Sequence, residues 1–77
     1  MKINKTSKEY KKLNDFIRGE LRRKKINQSS LAYSLNLSQS NISDRLNEKT
    51  DWSLWETINV MDILGYELDF HERRKNE

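Results

Sequence analysis

Ser40, Ser43, Asp44 and Asn47 recur at a spacing that places them on one side of a helix, with Gln39 at its exposed first turn. Amide and hydroxyl groups both donate and accept hydrogen bonds, and a carboxylate accepts only. A face of this kind recognises another polar edge and does not transform it; the plainer alternative is the solvated side of a surface helix. Nothing in the chain supplies reaction chemistry. The single histidine, His71, sits in a charged terminal stretch, there is no cysteine, and Gly19 and Gly65 are the only glycines, so no loop can cradle a phosphate. The acids around Asp62 and Glu67 have no partners at a spacing suited to general acid and base work or to a metal ion. The expectation is a binding protein, not an enzyme, without cofactor or metal.

The elements that must hold this face can be read around it. Ile42 and Leu46, one turn apart, pack inward from the same helix, and Ser38 is suited to cap its start. A short helix precedes it, opened by Asn27 as cap and Gln28 as first residue. Leu31, Ala32 and Leu35 face its core, while Ser30, Tyr33 and Ser34 face outward. Asn36 enters the left-handed region at low cost and ends it. Residues 28–47 thus predict two short amphipathic helices joined by a tight turn.

This stretch resembles the helix-turn-helix of the phage repressor and Cro family, also called the Xre family of bacterial and phage regulators. The likeness is carried by Gln28, the Leu31-Ala32 pair, Leu35 and Leu37 flanking the turn, the Ser38-Gln39-Ser40 opening and Ile42-Ser43. It is dense over these twenty or so residues and looser over residues 10–65. The chain departs from the family pattern at Asn36 and Glu48, where glycine is usual, and at Arg45, where an apolar residue is common. The resemblance implies a mainly α fold: a four-helix repressor-like domain whose second helix of the motif, residues 39–47, enters the major groove of double-stranded DNA. On that reading Gln39 and Ser40, with Ser38 at the helix opening, lie where the family reads bases, and a glutamine amide pairs with adenine. Asp44 accepts from a cytosine amino group while repelling phosphates, so it selects without adding affinity. Asn41, Ser43 and Arg45 flank the surface, Arg45 within reach of guanine or backbone. Gln28 and Asn47 hold phosphates, and Lys49 contacts the backbone from the connector.

Seventy-seven residues make one domain, and a chain this short buries only about 60% of its unfolded surface. Residues 1–5 are polar and basic and are expected to be disordered. Thr6 and Glu9 form a capping box for a first helix with a stripe of Tyr10, Leu13, Phe16, Ile17 and Leu21. The helix ends in Arg22, Arg23, Lys24 and Lys25, which suit either the helix dipole or DNA phosphates. Ser53 and Glu56 box the start of a fourth helix running through Leu54, Trp55, Ile58, Met61 and Leu64 to a stop at Gly65. Trp52 and Trp55, surrounded by acids, read as core or interface residues more than as a stacking platform.

Charge is polarised along the chain. Residues 1–25 hold ten Lys or Arg against three acids, and residues 51–70 hold five acids and no Lys or Arg. That polarity suits a molecule with one end on a polyanion. Tyr66, Leu68 and Phe70 alternate with Glu67 and Asp69, a strand pattern; the alternative is a short fifth helix. A lone strand needs a partner, and none is evident elsewhere in the chain. The economical expectation is an antiparallel β-strand over 66–70 pairing with a second copy, with Trp55, Tyr66, Leu68 and Phe70 at the interface of a homodimer. Some Cro-like proteins and antitoxins dimerise through C-terminal strands. Residues 71–77 form a charged tail. No apolar stretch is long enough to span a membrane and no signal peptide is evident, so the expected setting is the cytoplasm, nucleoid-associated on DNA. The expected function is a sequence-specific transcriptional repressor acting on a pseudo-palindromic operator. The alternative is an antitoxin or interaction module that binds a toxin or regulator protein through its acidic C-terminal half.

Overall fold

The computed structural model describes residues 8–72. The expected disordered segment 1–5, the Thr6 half of the first capping box and the tail beyond Glu72 lie outside the described residues. Four helices follow in order: α1 (Lys8–Arg23), α2 (Gln28–Leu35), α3 (Gln39–Leu46) and α4 (Leu54–Leu64). A mainly helical fold is therefore correct.

Local chemistry sets the boundaries of these short helices. Asn27 has extended backbone, and its side-chain oxygen accepts from the Ser30 amide at 2.8 Å. Ser38 does the same for α3 through the Asn41 amide at 3.1 Å, and Ser53 for α4 through the Glu56 amide at 3.0 Å. Both are reciprocal boxes, since Asn41 and Glu56 accept from the amide of their own cap residue. Asn36 (φ 59°) and Gly65 (φ 89°) adopt the left-handed conformation that ends α2 and α4. Lys25 (φ 58°) and Glu48 (φ 64°) do so after α1 and α3, at positions with no glycine to ease it.

The four helices close on one core. Ile17 and Leu21 from α1, Leu31 and Ala32 from α2, Ile42 and Leu46 from α3, and Val60, Met61 and Leu64 from α4 are all buried, with Trp52 from the connector. Helix α2 packs closely on α3 and also on α4. Ala32 is buried with them; a small side chain lets the helices approach.

Three expectations about packing are corrected. Phe16 does not join the core: it is 40% exposed and meets Tyr66 edge to face, ring centroids 5.1 Å apart. Its place in the α1 stripe is taken by Asn14, which is buried. Val60 joins Met61 and Leu64 on the inner face of α4, so Leu54 turns outward at 70% exposure; Trp55, expected at the core or at an interface, is outside the core at 74%. At 100° per residue, Trp55 falls nearly opposite that face.

The third correction concerns 66–70. Among the described residues there is no strand, and this segment is neither strand nor helix. A ladder requires a second extended segment, and the rest of the described chain is committed to helices and their connectors. The segment is instead tied down at its start. The Tyr66 amide donates to the Met61 carbonyl, its hydroxyl donates to Glu20 at 3.0 Å, and Lys24 lies 5.6 Å from the ring centroid. Beyond it Leu68 and Phe70 are exposed.

Candidate nucleic-acid interface

Five polar residues converge where the start of α2 meets the outer face of α3. Gln28, Gln39, Ser40, Ser43 and Asp44 line one open cleft of about 440 Å³. All five were expected to contact DNA, Gln28 at phosphate and Ser43 at the flank, and they line one surface. Gln39 is tied across the motif, since the Ser29 hydroxyl donates to its Oε1 at 2.8 Å. Ser40 Oγ lies 3.1 Å from Ser38 Oγ. The cleft carries amides, hydroxyls and one carboxylate and no cation.

The remaining expected residues stand apart from the cleft. Ser38 and Asn41 are occupied in capping α3: the Ser38 hydroxyl donates to Asn41 Oδ1 at 2.6 Å. Arg45 turns toward α4, where Nε and Nη2 donate to the two carboxylate oxygens of Glu56 at 2.8 and 3.1 Å. A third contact runs from Nη1 to the Asn41 carbonyl at 3.1 Å. Only 13% of the Arg45 side chain is exposed, so it holds α3 against α4 instead of pointing outward. The Arg45 guanidinium lowers the Glu56 pKa below the ordinary value, with the Ser53 amide adding to the effect against partial burial. Asn47 accepts from Arg18 at 2.7 Å and donates to Ser43 at 3.3 Å. Lys49 is exposed in the connector.

Three positioning residues were not expected. Arg18, on α1, donates to the Leu46 carbonyl at 2.7 Å as well as to Asn47, so the C-terminal end of α3 is held from a different helix. Cations favour that end of a helix, but no spacing in the sequence joins positions 28 residues apart. Ser29 supports Gln39 across the turn. Asn14 accepts from the Trp52 indole at 2.7 Å, while the Trp52 amide donates to the Tyr10 hydroxyl at 3.0 Å. These bonds fix the connector that follows α3. An asparagine inside an apolar stripe was the available signal for Asn14.

The basic end of α1 divides in two. Lys24 donates to the Leu64 carbonyl at 2.8 Å, capping α4. Arg23 is paired with Glu20, whose pKa it lowers through that hydrogen bond. Arg22 and Lys25 are exposed.

Three of the four expected interface residues, Tyr66, Leu68 and Phe70, share a second surface. Trp55, Leu68 and Phe70 are exposed. Ile58, Asp62, Tyr66, Glu67, Leu68 and Phe70 line a groove of about 460 Å³ between α4 and the C-terminal segment. No described helix is long and apolar enough to cross a membrane. No protein-family model, curated protein sequence or solved structure matches this chain.

Proposed function

We propose that this protein is a sequence-specific DNA-binding transcriptional regulator, a repressor that lays α3 in the major groove of double-stranded DNA. The observation that carries the reading is the convergence of Gln28, Gln39, Ser40, Ser43 and Asp44 on one cleft, on a motif resembling the repressor and Cro helix-turn-helix. Amides and hydroxyls at the start of α3 pair with base edges. Asp44 accepts from cytosine and penalises placements that bring phosphate near it. Gln28 and Lys49 contact phosphates on either side, with Arg22 and Lys25 as further cations at the surface. Because Arg45 and Asn47 hold α3 in place, they act by setting its angle to the domain and not as readers.

The repressor acts as a homodimer in this reading. Leu54, Trp55, Leu68 and Phe70 are exposed apolar side chains, with Ile58 half-buried in the groove beside Leu68 and Phe70, and backbone groups between Tyr66 and Phe70 would pair with the same segment of a second copy. A two-fold pair would present its reading helices about 34 Å apart, matching a pseudo-palindromic operator. Occupying such a site near a promoter blocks transcription.

A second reading draws on the same face. Asp62 and Glu67 flank apolar residues in the groove, which suits a partner protein carrying cations and apolar side chains, as an antitoxin binds a toxin. Selection from a random duplex pool at about 0.15 M salt, with a Gln39→Ala, Ser40→Ala double variant in parallel, separates the two. A two-fold-symmetric site enriched by the wild type and lost in the variant supports the repressor. No enrichment from folded, dimeric protein would sink it and leave the partner-protein reading.

A further inference from the structure

We infer that one side of α1 is a second DNA-contacting surface, which holds the phosphate backbone beyond the base pairs read by α3. The inference rests on the DNA-binding reading and extends the phosphate contact of Arg22 along the length of α1. Lys8, Lys11, Asp15, Arg18 and Arg22 follow one another at intervals of three and four residues, so they lie along one side of the helix. Four are cations and one is an acid, a local charge of +3. The side that carries Glu9, Lys12, Phe16, Glu20 and Arg23 has two charges of each sign and no net charge.

Contacts fix where the two sides face. Arg18, in the cationic row, donates to the Leu46 carbonyl and to Asn47, so that row passes the C-terminal end of the reading helix. Lys49 lies in the connector just beyond the same end. Glu20 and Phe16, in the neutral row, meet Tyr66 of the C-terminal segment. Charge on α1 therefore divides between the nucleic-acid interface and the C-terminal face. Folding does not account for the cationic row, in which Lys8, Lys11 and Arg22 are exposed. Arg22 suits the negative end of the helix dipole, but Lys8 and Lys11 stand near the positive end, where cations are disfavoured. Lys11 lies 3.7 Å from Asp15, an exposed pair of a kind that stabilises little in water. From Lys11 to Arg22 the row spans about 16 Å of helix axis, long enough to meet more than one phosphate of a strand.

The experiment measures affinity against salt concentration, on the selected operator and on a random duplex, for wild type, Lys11→Gln, Arg22→Gln and, from the neutral row, Lys12→Gln. Glutamine is a good helix former, so all three variants keep α1. Lys11→Gln and Arg22→Gln should each reduce the slope of log affinity against log salt by about 0.9, the counterion release of one lost phosphate contact, on both duplexes alike. Lys12→Gln should keep the wild-type slope. Base preference in random-pool selection should be unchanged in all three. Trimming the duplex to the selected base pairs should weaken wild type and Lys12→Gln more than Lys11→Gln. Equal slopes for Lys11→Gln and Lys12→Gln would overturn the inference, since the cations would then act only through net charge, and would leave the DNA reading in place. If wild type enriches no site but the two rows still differ on the random duplex, the phosphate surface stands and the sequence-specific reading falls. No duplex binding by the wild type overturns both.

Discussion

The outer face of α3 and the face formed by α4 with the C-terminal segment are both exposed, but they are held in opposite ways. Helix α3 is short, only eight residues, and would be marginal alone. It is clamped at its start by the Ser38 and Asn41 box, along its side by Arg45 on Glu56, and at its end by Arg18 on the Leu46 carbonyl. Its inner residues Ile42 and Leu46 are buried. The C-terminal segment is anchored at Tyr66 and then carries Leu68 and Phe70 into solvent. A polar surface gains selectivity from rigid supports, since each mispaired donor or acceptor is costly. An apolar surface needs only area and a partner. The two faces therefore differ in what a substitution does: on α3 it registers in the isolated chain, and on the C-terminal face it registers in association.

The largest effect that tests this difference is in the core beneath α3. Ile42→Ala removes a fully buried side chain and should cost about 2–4 kcal/mol in urea unfolding, a large share of the stability of a domain this size. Trp55→Ala and Phe70→Ala should change the stability of dilute protein by less than about 0.5 kcal/mol. In the dimer reading they lower the sedimentation mass at higher concentration. A large loss of monomer stability in Phe70→Ala would break the comparison.

How much of this was legible depended on the distance over which a residue acts. Asn27, Ser38, Asn36, Gly65 and the Ser53 and Glu56 box each act within four residues, and each does what its type and position predict. Arg18 and Arg45 act on partners 28 and 11 residues away. Their types announce a charge but not which helix will lie beside it, so Arg45 reads as a DNA contact until α4 is in place. Helix α4 misleads for another reason. Leu54, Trp55 and Ile58 make one apolar stripe and Val60, Met61 and Leu64 another, and only the packing of the other helices chooses between them. The alternation of Tyr66, Leu68 and Phe70 is real, but a strand is a property of two segments, and the described residues supply no second one.

Asn14 tests the connector between the two faces. Its oxygen satisfies the buried Trp52 indole, while its own Nδ2 is buried without a partner. Asn14→Ala strands the indole donor and should cost about 1–3 kcal/mol, with a shift in Trp52 fluorescence. A neutral result would mean that the Tyr10 hydroxyl and apolar packing suffice to seat Trp52.

The Arg45 and Glu56 pair should show in acid. Arg45 lowers the Glu56 pKa in the folded state below the ordinary 4.5, so the folded protein holds the charged form more tightly than the unfolded chain does. The stabilisation is therefore complete above about pH 4.5 and is lost as pH falls through the lower folded value. Glu56→Gln should flatten the stability profile in that acid range, and Arg45→Met should flatten it only in part, because the Ser53 amide still favours the carboxylate, while costing about 1 kcal/mol near neutrality. Equal acid profiles for wild type and both variants would show that the pair does not fasten α3.

The smallest effect concerns how α3 ends, and it distinguishes folding from binding at a single position. Glu48 sits at φ 64°, a conformation that costs a side-chain-bearing residue about 1 kcal/mol or more. Glycine adopts it freely but loses more chain entropy on folding, which offsets part of the gain. Glu48→Gly should therefore stabilise the fold by about 0.5 kcal/mol, because the amides of Glu48 and Lys49 already donate to the Arg45 and Asp44 carbonyls and need no rearrangement. The substitution also removes an acid from the end of the reading helix, so in the DNA-binding reading it should tighten binding to all sequences alike and leave base preference unchanged. Changed base preference would mean that the turn after α3 sets the angle of the helix. The clamps from α1 and α4 would then hold it less firmly than their geometry implies.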